Sequence, residues 1–140
     1  MKDIVYLGIG GWLGAWARYG LQLAVPQPAN GFPVAVLTIN LVGCLFLGWF
    51  FTVALRSSRI TPRVRLMIGT GFTGAFTTFS TFAVDILRLF MLGQIVEALV
   101  YVVSSLVGGI LLAWFGIRLG MYMNKRLMLR DGSSRKEEGV

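Results

Sequence analysis

The sequence has no histidine, one cysteine and only six acidic residues among its 140. Zinc sites and Ser-His-Asp triads therefore lack the ligands and the base that they need. The six acids are scattered along the chain and do not supply the carboxylate pair that acid–base catalysis requires. Cys44, being alone, cannot form a disulfide within the chain. The residue supply therefore argues against an enzyme.

Charge is also scarce, since charged residues make up 14% of the chain and hydrophobic residues 56%. With a mean hydropathy of +0.73, the composition predicts an all-α integral membrane protein. A helix needs about 20 residues to cross the hydrocarbon core. We predict four transmembrane helices in a single domain, at residues 4–25, 33–55, 64–91 and 95–123, and a basic, disordered tail at residues 124–140. The four prolines fall between these helices or at their edges.

The net charge of +7 is distributed unevenly. With four crossings, one side of the membrane holds eleven of the thirteen lysines and arginines and the other side holds two. The eleven are Lys2, Arg56, Arg59, Arg63, Arg65, Arg118, Lys125, Arg126, Arg130, Arg135 and Lys136, and the two are Arg18 and Arg88. The positive-inside rule then predicts cytoplasmic termini in every copy. Membrane lipid of negative charge, not nucleic acid, is the partner expected for these basic residues.

The third predicted helix contains a stretch that disfavours helix. Residues 69–82 read G-T-G-F-T-G-A-F-T-T-F-S-T-F, with three glycines and five threonines in an uncharged run. Glycine and neighbouring β-branched residues lower helix stability. Irregular backbone at membrane depth persists only where protein buries it or where it lines a wet cavity. We predict a break at residues 74–78, whose free carbonyls are suited to a small hard cation such as Na⁺.

Two aromatic rings and one amide lie near this break in the predicted arrangement. Phe79 and Phe82 are three apart and share a helical face, where they either pack or turn their positive ring edges toward an anion. Asn40, in the second predicted helix, has two donors and an acceptor to satisfy in hydrocarbon. It either joins helices, which is worth about 1 kcal/mol, or lines a path as a donor. The residues alone leave both alternatives open.

Two other helices carry stripes of residues four apart. In the first, Gly10, Gly14 and Arg18 form either a helix-packing groove or a smooth surface that leads to an anion-attracting guanidinium. In the fourth, Tyr101 and Ser105 share a stripe with Gly109, and the hydroxyls either line a polar track or bond neighbouring helices. The spacing does not decide between these readings.

Three motifs together resemble the bacterial fluoride channel family known as Fluc or CrcB. They are G-G-W-L-G-A-W-A-R-Y, T-I-N-L-V-G and G-F-T-G-A-F-T-T-F-S-T-F, and the likeness extends over residues 8–120. The resemblance implies a fluoride-selective channel of the bacterial cell membrane that exports F⁻ passively. It also implies a dual-topology, antiparallel dimer with a structural, non-transported Na⁺ at its centre.

The resemblance further implies roles for individual residues. Gly74 and Thr77 would give backbone carbonyls to Na⁺, and Asn40, Phe79 and Phe82 would form the fluoride sites. The hydroxyl track would comprise Ser80, Thr81, Tyr101 and Ser105, and Arg18 would stand at the vestibule. The chain departs from the family pattern at Ala75, where a second glycine is usual, at Asp85, where glutamate is common, at Ala35 and Val36, which replace a frequent Gly-Thr, and at Gly109, which can be a further serine.

Two other functions and one other assembly remain as hypotheses. A small proton-coupled multidrug exporter also has four helices, but it needs an intramembrane carboxylate, and this chain has none between Asp3 and Asp85. A non-transporting scaffold subunit would explain the glycine-rich helix faces but not the polar third helix. The charge bias opposes insertion in both orientations, so the antiparallel partner is either a second copy or an oppositely oriented paralogue.

Overall fold

The computed structural model describes the backbone of residues 1–57 and 60–137 and the side chains of residues 1–57 and 60–125. Within these residues every regular element is a helix, and there is no β-strand. The elements are α1 (Lys2–Ala24), α2 (Val34–Arg56), α3 (Pro62–Arg65), a π-helical segment (Leu66–Phe72), α4 (Thr73–Phe76), α5 (Phe79–Met91) and α6 (Ile95–Glu137). Arg59 of the basic connection and residues 138–140 of the predicted tail lie outside the described residues.

Three helical stretches in the described part of the chain are long and apolar enough to cross a membrane. They are Val34–Arg56, Pro62–Met91 and Ile95–Lys125, which correspond to the second, third and fourth predicted crossings. α1 is 23 residues long but includes Lys2, Asp3 and Arg18, and it is not one of the three. The prediction of several membrane-spanning helices is confirmed, and the first crossing, predicted at residues 4–25, stays a prediction.

The helix break predicted at residues 74–78 is present but shorter. α4 ends at Phe76, and α5 begins at Phe79. Thr77 and Thr78 between them have extended backbone, with ψ of 159° and 121°. Gly74, which we placed in the break, is helical instead. Thr78 caps α5, since its hydroxyl accepts a hydrogen bond from the Thr81 N–H at 3.2 Å, and such a cap starts a new helix.

The π-helical segment just before the break was not predicted. It packs against α1, where Gly10 and Gly14 are buried. A methyl group at Gly10 would overlap the Met67 carbonyl, and one at Gly14 would overlap the Phe72 carbonyl. The glycine stripe of α1 is therefore a packing groove that admits the backbone of its neighbour, which is the first of the two readings given above.

α2 lies along α6, and this is the main helix pair of the molecule. The two backbones approach closely at Gly116, where a Cβ atom would overlap the Leu45 carbonyl. α6 then continues to Glu137, past the end predicted at residue 123. The residues directly after Met123 include no proline and several strong helix formers. The disordered tail expected from residue 124 stays a prediction.

Two polar contacts show which connections share an end of the molecule. Arg63 Nε pairs with Asp3 Oδ1 at 2.9 Å, so the amino terminus lies beside the connection between α2 and α3. Gln94 Nε2 donates to the Asn30 carbonyl at 3.2 Å, so the connections α1–α2 and α5–α6 lie together. The connections α1–α2 and α5–α6 lie at one end of α2, and the amino terminus and the basic connection α2–α3 lie at the other. The two ends of the molecule therefore differ in charge, as the sequence predicts.

Candidate ion-binding cavity at the helix break

The side chain of Asn40 in α2 forms hydrogen bonds with the backbone of the break. Asn40 Nδ2 donates to the Thr78 carbonyl at 3.1 Å, and the Thr78 N–H donates to Asn40 Oδ1 at 2.9 Å. The backbone N–H and carbonyl of Thr78 have no helical partners, and Asn40 provides a hydrogen-bond partner for each of them. The amide of Asn40 has a second N–H, which remains for another acceptor.

Hydroxyl groups cluster where α5 begins. The Thr78 hydroxyl lies 2.9 Å from the Thr81 hydroxyl and 3.4 Å from that of Ser80. The structure therefore brings Ser80 and Thr81, both predicted for the polar track, next to the residue that Asn40 holds. Each of these hydroxyls can donate or accept, so the cluster can turn its protons toward an anion.

The two predicted phenylalanines share a helical face, as their spacing requires. The ring centroids of Phe79 and Phe82 are 6.0 Å apart, and the ring planes are inclined by 40°. Phe82 also lies against Tyr101, with 5.0 Å between ring centroids. Phe79 is 80% exposed, so one face of the pair is open to a ligand or to another chain.

Buried polar atoms without partners lie next to these rings. Among the described side chains, Tyr101 Oη, Ser105 Oγ and Asp85 Oδ2 are buried and make no hydrogen bond of standard geometry, although Tyr101 and Asp85 are neighbours. An unsatisfied buried polar group costs about 1–3 kcal/mol. Hydroxyls in this state are suited to a polar ligand or to water, as in a polar track.

A cavity of about 330 Å³ opens beside the break. Its lining residues are Asn40, Gly43, Cys44, Leu47, Thr73, Thr77, Thr78, Phe79, Phe82, Ser105 and Leu106. Five predicted site residues, Asn40, Thr77, Phe79, Phe82 and Ser105, thus meet around one space. Ser80, Thr81 and Tyr101 are not lining residues, but the hydroxyls of Ser80 and Thr81 lie next to that of Thr78, and the Tyr101 ring lies next to Phe82.

The remaining predicted residues, Gly74 and Arg18, do not line the cavity. Gly74 is on the exposed side of α4, and a Cβ atom added to it would meet open space. Its carbonyl lacks the usual helical donor four residues on, because the Thr78 N–H is bonded to Asn40. Arg18 is half-buried on α1 and separate from the cavity.

Several lining residues were not predicted from the sequence. Gly43, Cys44 and Leu47 follow Asn40 by three, four and seven positions, which is the spacing of one helical stripe, so the signal was present in α2. Gly43 has a specific role, because a Cβ atom there would overlap the methyl group of Thr77. Only glycine lets the break approach α2 this closely.

Comparison with known proteins places this cavity in a family. A family model described as "CrcB-like protein, Camphor Resistance (CrcB)" matches residues 5–117. The chain belongs to the CrcB family. Among CrcB relatives, "Fluoride-specific ion channel FluC" of Chlorobium phaeobacteroides is 40% identical over 83% of this chain and 91% of its own. A protein of the same name in Oceanobacillus iheyensis is 38% identical over 89% and 96% of the two chains.

A third CrcB relative gives the same picture. "Fluoride-specific ion channel FluC 2" of Geobacillus kaustophilus is 43% identical over 81% of this chain and 90% of its own. The matched residues 5–117 contain α1 through most of α6, and with them every residue that lines the cavity. The resemblance stated from the motifs is therefore confirmed over nearly the whole membrane part of the chain.

Proposed function

We propose that this CrcB chain is a subunit of a fluoride-selective ion channel that lets F⁻ leave the cell passively and lowers cytoplasmic fluoride. The observation that carries the proposal is the cavity at the break. It offers amide and hydroxyl donors and two aromatic rings, and no lysine or arginine is among its described lining residues. Dipoles and ring edges attract an anion without trapping it, which conduction requires.

Within this proposal the anion path begins near the rings. The free N–H of Asn40 and the edges of Phe79 and Phe82 provide the first sites. The hydroxyls of Ser80, Thr81, Tyr101 and Ser105 continue the path. Arg18 belongs to the vestibule, where a cation concentrates anions before they enter.

The proposal includes a structural Na⁺ held by the carbonyls of Gly74 and Thr77. Support comes from the Gly74 carbonyl, which lacks its helical donor, and from its exposed position. In the described part of the chain no three His, Cys, Asp or Glu side chains come together as metal ligands, so neutral oxygens are the donors at hand. Two carbonyls are too few to enclose a hard cation, and a second chain that contributes two more would bring the set to four.

Removal of Na⁺ tests this part of the proposal. We expect fluoride efflux from proteoliposomes to fall when Na⁺ is replaced by a large organic cation during purification and reconstitution, and to return when Na⁺ is added. The matched control adds K⁺ at the same ionic strength. Equal efflux with and without Na⁺, from protein shown to be free of the ion, would contradict the cation site.

The second chain is proposed to lie antiparallel in the bacterial plasma membrane. The exposed face of Phe79 and the open surroundings of Gly74 leave room for it beside the break. Because eleven cations lie at one end of this chain and two at the other, a fixed orientation is favoured. The partner would then be an oppositely oriented paralogue, and a second copy of this chain is the alternative.

The multidrug exporter hypothesis loses support at the same site. Such an exporter exchanges protons at a carboxylate that substrate can reach. No acidic side chain occurs among the described lining residues, and Asp85 is therefore not one of them. The scaffold hypothesis is tested by substitution of Phe82, as set out in the Discussion.

A fluoride electrode tests the proposed function. We expect the purified chain, reconstituted alone or with an oppositely oriented CrcB paralogue, to release fluoride from loaded vesicles when a counter-ion path is opened. Chloride release from matched vesicles should be far slower. Fluoride release no faster than from protein-free vesicles, in both reconstitutions, would overturn the proposal.

A further inference from the structure

Thr73 closes the π-helical segment. Its N–H donates to the Ile68 carbonyl, five residues back, which is the hydrogen bond that defines a π turn. Its hydroxyl donates to the same carbonyl at 3.0 Å, although the side chain also lines the cavity. Thr73 is 4% exposed, so these bonds are shielded from water.

The same residue begins the link to the break. The Thr73 carbonyl accepts a hydrogen bond from the Thr77 N–H at 2.9 Å and another from the Thr77 hydroxyl at 2.9 Å. Thr77 is followed directly by Thr78, whose peptide groups Asn40 holds. A continuous set of hydrogen bonds thus runs from the π turn through Thr73 to the wall of the cavity.

The π-helical segment is fixed by its neighbours on two sides. On one side the groove of α1 admits its backbone at Gly10 and Gly14. On the other side the Phe72 ring stacks on Phe76 and meets Phe46 of α2 edge to face, with centroid distances of 5.8 Å in both cases. These contacts hold the wide turn in a segment whose sequence alone does not require it.

A π turn contains one residue more than an α turn. If the segment wound as an α-helix, everything after it would turn by about 100° and shift by about 1.5 Å. Thr77 and Thr78 would then no longer face Asn40. We infer that Thr73 is a positioning residue for the anion path and that the π turn it closes sets the register of the break. This inference rests on the proposed channel function.

Three substitutions test the role of Thr73. Thr73→Val keeps the shape of the side chain and removes its hydrogen bond. We expect fluoride efflux per assembled channel to fall about three- to tenfold, the effect of one lost hydrogen bond, with a lower fluoride-to-chloride ratio. Thr73→Ser should restore both quantities. Thr70→Val, on the exposed side of the same segment, is the matched control and should leave both unchanged.

The fluoride-to-chloride ratio shows whether Thr73 positions the anion path or only stabilises the fold, because loss of folded protein lowers both ion fluxes equally. Wild-type efflux and selectivity in Thr73→Val would overturn the inference. So would a serine variant as impaired as the valine variant. If Thr73→Val does not assemble, the deletions described next decide the question.

The register itself is tested by two single-residue deletions. Deletion of Ile68 takes the extra residue out of the π turn, so the segment can close as an α-helix without turning the break. Deletion of Ala75 in α4 has no wide turn to absorb it and rotates Thr77 and Thr78 by about 100°. We expect the Ile68 deletion to keep efflux within about tenfold of wild type and the Ala75 deletion to abolish it.

Equal loss of efflux in both deletions, at equal assembly judged by gel filtration in detergent, would overturn the inference. So would retained efflux in the Ala75 deletion. Failure of the proposed function has a different signature, since the wild-type chain would then release no fluoride. Wild-type efflux together with an unaffected Thr73→Val variant removes only the inference about register.

Discussion

At the scale of single residues, the geometry of the cavity depends on the hydrogen bonds of the Asn40 amide. An asparagine inside a membrane needs hydrogen-bond partners for its amide, and this need was evident for Asn40 from its place in an apolar helix. Nothing in the sequence indicates that its partner is the backbone of Thr78, 38 positions away. That pairing requires the third membrane stretch to be open at the correct level, which only the assembled helices determine. The residue was therefore predictable and its partner was not.

Replacement of Asn40 by leucine should impair the channel. Leu has a similar size but cannot bond the Thr78 peptide, and an unsatisfied buried peptide group costs about 1–3 kcal/mol. We expect fluoride efflux from vesicles to fall more than about tenfold at equal protein content. The control is Thr38→Val in the same helix, which should keep most of the efflux. Full efflux in Asn40→Leu would show that the channel does not need the two hydrogen bonds between Asn40 and Thr78.

At the scale of elements, the break was predictable and the π-helical segment was not. Adjacent threonines preceded by glycine weaken a helix locally, so Thr77 and Thr78 carry their own signal. The run Leu66–Phe72 contains Gly69 and Gly71, which weaken an α-helix but do not specify a π turn. Its wide turn is stabilised by contacts with α1 and α2. Gly74 shows the opposite error, since it is exposed and yet helical in α4 despite its low intrinsic helix preference.

The approach of α2 to the break gives a prediction at this scale. In Gly43→Ala the new methyl group would overlap that of Thr77, so the break must move away from Asn40. We expect lower fluoride efflux with little loss of assembled protein, measured as efflux per channel in vesicles. Gly20→Ala in α1, where the added atom meets open space, is the control and should behave as wild type. The two variants giving the same efflux would contradict a close fit at Gly43.

At the scale of the whole molecule, the distribution of charge is the main feature. The pair Arg63–Asp3 and the contact Gln94–Asn30 mark the two ends, and the cations are concentrated at the first. Sequence analysis predicts this bias without a structure, because charges between apolar helices can be counted directly. The number of crossings is less accessible, since α1 combines glycine, tryptophan and an arginine within one helix. Its position depends on the neighbours it packs against.

Orientation can be measured with cysteines placed at the two ends. In a Cys44→Ser background, Lys2→Cys marks the basic end and Asn30→Cys marks the opposite end, and both positions are exposed. We expect a membrane-impermeant maleimide to label only Asn30→Cys on intact cells, with both variants labelled after lysis. Equal labelling of the two variants on intact cells would establish insertion in both orientations and would leave a second copy of this chain as its partner.

We propose to test directly whether fluoride passes the Phe82 ring. The measurement is fluoride efflux from vesicles that contain wild-type protein, Phe82→Ile or Phe90→Ile. Phe82 lines the cavity, whereas Phe90 is exposed on the same helix and away from it. We expect rapid fluoride release from wild type and Phe90→Ile, and much slower release from Phe82→Ile, with all three proteins assembled to the same extent. Equal release from the two variants, or no release from wild type reconstituted either alone or with the oppositely oriented paralogue, would contradict this proposal.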